Sequence, residues 1–87
     1  MQRIISYYFG RNNYSGVYKE LTDQNFEISD NDEHDGISSR KEGSSSGLGH
    51  IDAGTDHVYV YSKDKMNEVD IAERSRLLKL LDDFKTV

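Results

Sequence analysis

Four apolar residues near the C-terminus, Leu77, Leu80, Leu81 and Phe84, recur at i, i+3, i+4 and i+7. That spacing puts them on one stripe of an α-helix and predicts a helix across Asp64 to Phe84. Val69 falls beside the stripe. Asp64 or Asn67 can cap the helix, and Asp70 with Glu73 repeats a capping-box spacing that would start or kink it later. The stripe constrains the rest of the chain, whose other apolar residues come in runs too short to bury themselves. Ile71 and Leu78 fall together roughly 100° from the stripe's centre. One wide core face taking up both stripes is the favoured reading. The alternative is a second contact surface for a partner or a second copy, which would make Ile71 and Leu78 the contact of a homodimer.

Upstream, Ile4 to Phe9 is β-branched and aromatic and stops at Gly10, which predicts a first strand. Its apolarity on both faces suggests a central strand. Tyr14, Val17, Tyr18 and Leu21 fit a short helix with Asn12 or Asn13 as N-cap. Gly16 argues against it, and Val17 to Leu21 could instead return as a strand; the helix is favoured. Asn25 to Ser29 alternates, with Phe26 and Ile28 on one face. His57 to Ser62 is the cleanest strand, Val58 and Val60 opposing His57, Tyr59 and Tyr61.

Residues 30 to 56 hold only Ile37, Leu48 and Ile51 as large apolar side chains, among many Gly and Ser. That is linker composition, and it predicts a flexible acidic loop at about 30–56. The expected fold is one small α+β domain, 1–87, in the order β-α-β-(long loop)-β-α. It has one three-stranded sheet with the helices packed on one face.

The net charge of −5 is unevenly spread. Residues 1–19 carry +3, residues 20–57 carry −8, and residues 58–87 are neutral. Such a chain lacks the basic footprint of a nucleic-acid binder and suits a basic partner surface. No apolar run approaches a membrane span, and the N-terminus has no signal-peptide pattern. A soluble, cytoplasmic location is expected, a host cell included, with no membrane contact. No cysteine is present, so neither a disulfide framework nor a thiolate metal site is available.

The acidic run Glu20, Asp23, Glu27, Asp30, Asp32, Glu33 and Asp35 has no base between Lys19 and Arg40. Together with Tyr59 and Tyr61 it is the expected partner-binding surface. It would act as a nucleic-acid mimic on a basic, nucleic-acid-handling protein. The function expected is that of a small non-enzymatic inhibitor or immunity-type protein, phage-encoded inhibitors of host defence among them, needing no cofactor.

The alternative is a divalent-cation module. Asn31 to Glu42 resembles the calcium loop of the EF-hand family, with oxygens at loop positions one, three and five (Asn31, Glu33, Asp35), Gly36 at six and Glu42 at twelve. It departs in having Asn first, the longer Glu third, Ser38 at position eight, and a Gly/Ser run where the exiting helix belongs. A second cation set is His34, His50 and His57, each near an aspartate, as zinc or manganese ligands. The run Gly43 to His50 lacks the lysine and the following helix of a phosphate loop.

Overall fold

The computed structural model describes residues 3–30, 35–44, 47–62 and 64–84. Its elements are β1 (Arg3–Tyr8), α1 (Tyr14–Asp23), β2 (Phe26–Ser29), β3 (Asp35–Ser39), β4 (Gly49–Asp52), β5 (His57–Ser62) and α2 (Glu68–Phe84). All five strands join one antiparallel sheet in the order β1-β5-β4-β3-β2. Strands β2 to β5 form a meander. The α1 segment carries the chain from one sheet edge to the other, and β1 pairs beside β5.

The class is α+β, but the sheet has five strands rather than three. The stretch expected to form a long loop supplies β3 and β4. Each brings little apolar surface of its own, because only one face of the sheet is covered and neighbouring strands furnish most of the core. Its three large apolar residues, Ile37, Leu48 and Ile51, are all buried. A second correction concerns β1, which is an edge strand and not a central one.

The register sorts side chains onto two faces. Phe26, Ile28, Ile37, Ile51, Val58, Val60, Ile5 and Tyr7 share the face beneath the helices. There Val17 and Leu21 of α1 and Leu77 and Leu81 of α2 complete one buried cluster with Phe9 and Leu48. Apolar burial at about 25 cal/mol per Å² is the main force holding both helices to the sheet.

Polar contacts fix where α2 lands. Asn67 caps it, its Oδ1 accepting the Asp70 N–H at 2.7 Å, while its Nδ2 donates to the Gly43 carbonyl at 3.0 Å. Asp70 and Glu73 are buried. The Ser44 hydroxyl donates to Asp70 at 2.7 Å, and the Ser39 hydroxyl donates to Glu73 at 2.5 Å. Arg76 adds an ion pair to Glu73 at 2.8 Å and stacks over Phe26, 4.0 Å from the ring centroid. Buried carboxylates are costly unless paired in this way. Among the described residues, no helix is long and apolar enough to cross a membrane.

Candidate partner-binding face

The second face of the sheet is covered by neither helix. Strand alternation puts Tyr8, His57, Tyr59, Tyr61, His50, Asp52, Ser38 and Glu27 on it. Five rings from β1, β5 and β4 run across it in contact. Tyr8 and His57 have centroids 5.4 Å apart, and His57 stacks on Tyr59 at 6.0 Å. Tyr59 stacks on His50 at 4.8 Å, and His50 meets Tyr61 at 5.5 Å. These spacings lie within the range in which aromatic pairs attract.

The ribbon is held from below and from its ends. The β4–β5 turn passes through Asp56 at φ 57°, a left-handed conformation that short polar residues tolerate best. His57 Nδ1 then lies 2.6 Å from the Thr55 carbonyl. A carbonyl only accepts, so Nδ1 carries the proton and Nε2 is turned away from that contact. His50 Nδ1 sits 2.6 Å from the Tyr61 hydroxyl. Burial pushes the Tyr61 phenol above its ordinary value. Asp52 folds over its own turn, its Oδ1 accepting the Gly54 N–H at 3.0 Å.

The face carries a distinct charge pattern. Glu27 and Asp52 lie on it, and among its described residues there is no lysine or arginine. Tyrosine faces present negative π density. The arrangement favours a guanidinium or ammonium group and disfavours phosphate.

The acids expected to form one docking surface are spread over several parts of the molecule. Glu20 lines a depression of about 360 Å³ between the helices, with Gln24, Arg76, Lys79, Leu80 and Asp83, so cations lie beside it. Asp23 is exposed at the end of α1, and Asp30 is exposed just past β2. Glu27 is on the open face, while Asp35 is on the helix side and accepts the Tyr14 hydroxyl. Asn31, Asp32, Glu33 and His34 lie outside the described residues. Tyr59 and Tyr61 are half-buried within the ribbon.

For the cation alternative, Asp35 and Gly36 stand in β3, paired with β4 on one side, and Gly36 also pairs with β2. Glu42 is exposed in the turn beyond β3. Among the described residues, no group of three His, Cys, Asp or Glu is arranged to hold a metal ion. At the dimer positions, Ile71 is 52 % exposed, whereas Leu78 packs partly against its own core.

Sequence reasoning put His57 on one strand face with Tyr59 and Tyr61 but missed Tyr8 and His50 as parts of the same surface. The signal that could have found them was the alternation of His57, Tyr59 and Tyr61, once β4 and β1 were known to flank β5. No protein-family model, curated protein or solved structure matches this chain.

Proposed function

We propose that the protein is a non-enzymatic binding module that seats a basic, arginine-bearing segment of another protein on its open sheet face. The observation that supports this is the ring ribbon Tyr8–His57–Tyr59–His50–Tyr61, bordered by Asp52, with Glu27 two strands beyond His50 on the same face. Guanidinium groups stack on aromatic faces and pair with carboxylates, and tyrosines anchor interface energy at little entropic cost. Three residues of the expected partner-binding set, Glu27 and the half-buried Tyr59 and Tyr61, thereby share one face. The other acids raise the negative field that draws the partner in.

Nucleic-acid-handling proteins concentrate arginine and lysine in the grooves that hold phosphates. A module of this charge would occupy such a groove and act there as an inhibitor. Calorimetric titration with an arginine-rich peptide and a glutamate-rich peptide of equal length tests the reading. The arginine-rich peptide should bind, and Tyr59→Ala should weaken it about tenfold, about 1.4 kcal/mol. Binding of neither peptide, or equal binding by the variant, would count against it.

A further inference from the structure

We infer that two copies of this chain join through their β1 edges, making one continuous antiparallel sheet across a two-fold axis. This rests on the β1 edge and α2 and not on the open face's binding a partner; Tyr8 belongs to both surfaces.

The backbone is the first observation. Phe9 N–H donates to the Asp56 carbonyl at 2.9 Å, and Phe9 follows directly on the β1–β5 register. In an antiparallel pair, a residue's N–H and C=O point to the same side and alternate along the strand. Residues 3, 5 and 7 therefore bond to β5, while Ile4, Ser6 and Tyr8 turn their N–H and C=O groups outward. Among the described residues no strand pairs with that edge. The register runs unbroken from Arg3 to Tyr8, with no bulge, proline or lysine in it. Those are the devices that normally protect an edge. The opposite edge, β2, has only four residues, and exposed Glu27 interrupts it.

Apolar exposure is the second. Among the described residues, three large hydrophobic side chains are exposed: Ile5 at 39 %, Tyr8 at 49 % and Ile71 at 52 %. Two belong to β1, one on each face of the sheet. Ile71 shares a helix stripe with Arg74, Leu78 and Asp82. That stripe lies on the β1 side of the molecule. Arg74 Nε donates to the Tyr61 carbonyl at 2.6 Å, and Tyr61 pairs with Ile4. Burial first, and the charge of Asp82 after it, push the Tyr7 phenol in β1 above its ordinary value, with Arg74 pulling the other way. Edge and helix flank thus form one side.

Charge selects the occupant. Two chains of net charge −5 repel wherever their acids meet. Residues 3 to 9 contain no acid, and the helix stripe balances Arg74 against Asp82. This is the side on which two acidic copies can approach, whereas a basic partner is drawn to the acidic surfaces. An antiparallel edge is also complementary to itself. Centring the two-fold on Ser6 pairs Ile4 with Tyr8 of the second copy and sets the two Arg3 positions far apart.

Sedimentation equilibrium of the full chain over a wide concentration range tests this. The expected mass is twice 10.0 kDa, with reversible dissociation on dilution. Ser6→Pro removes the central outward donor without taking a bond from β5, and should give a folded monomer by circular dichroism. Ile71→Glu, at an exposed helix position, should raise the dissociation constant at least tenfold and carries the test should Ser6→Pro misfold. A parent chain monomeric at every concentration overturns the proposal. So does a folded Ser6→Pro variant that stays dimeric, or an Ile71→Glu variant with an unchanged constant.

Discussion

Gly49 has no room for a side chain. A Cβ there would run into the Tyr59 carbonyl oxygen and lie 3.1 Å from Val60 Cα, backbone that cannot yield cheaply. Gly49→Ala should cost about 1–3 kcal/mol in a denaturant melt, the range of an overpacked interior. It should also displace Tyr59 and so weaken peptide binding beyond what lost stability explains. Glu73 sets the acid limit of the fold. The Arg76 hydrogen bond first, and the Ser39 hydroxyl after it, hold its carboxyl at about 2 against an ordinary value of 4.5, although burial pulls the other way. A lowered folded value means stability that is present above pH 4.5 and lost as pH falls toward 2. Thermal melts across that window should show the loss. Glu73→Gln should flatten it, and at neutral pH should cost about 1–3 kcal/mol for the weakened buried pair.

At the scale of elements, α2 was readable because four apolar residues on one stripe fit the helical repeat and not the two-residue repeat of a strand. Leu77→Ala should cost about 2–5 kcal/mol, and Leu80→Ala less, since Leu80 is only partly buried; paired urea melts measure both. The His57–Ser62 strand was equally plain from its alternation. Strands β3 and β4 were not. Their sequences, Asp35-Gly36-Ile37-Ser38-Ser39 and Gly49-His50-Ile51-Asp52, look like linker because the glycines and serines serve close strand contact and hydrogen bonding. Gly49 permits approach to β5, and Ser39 and nearby Ser44 satisfy the buried carboxylates of α2. No local pattern reveals a serine whose partner is 26 or 34 residues away. The edge position of β1 was hidden for a related reason. Apolarity on both faces signals burial on both, and in this molecule part of it stays exposed.

For the whole molecule, charge and layering act together. The helices and core occupy one side of the sheet, and the rings occupy the other. The acidic run was visible in the sequence. Its scatter over helix, sheet face and turn was not, because a short-range tally of charge carries no information about faces. Association with a basic partner should be steered by the overall field, so its on-rate should fall as salt passes 0.15 M, where the Debye length is about 8 Å. Stopped-flow mixing with the arginine-rich peptide measures this. Whether the ring ribbon is the docking face is decided by chemical-shift mapping of the labelled chain during titration with that peptide. Saturable changes should concentrate at Tyr8, His50, His57, Tyr59 and Tyr61, with Glu27 and Asp52 at their margin and the helix face unmoved. Saturable changes confined to α1 and α2, with the ring ribbon silent, would contradict the assignment of that face.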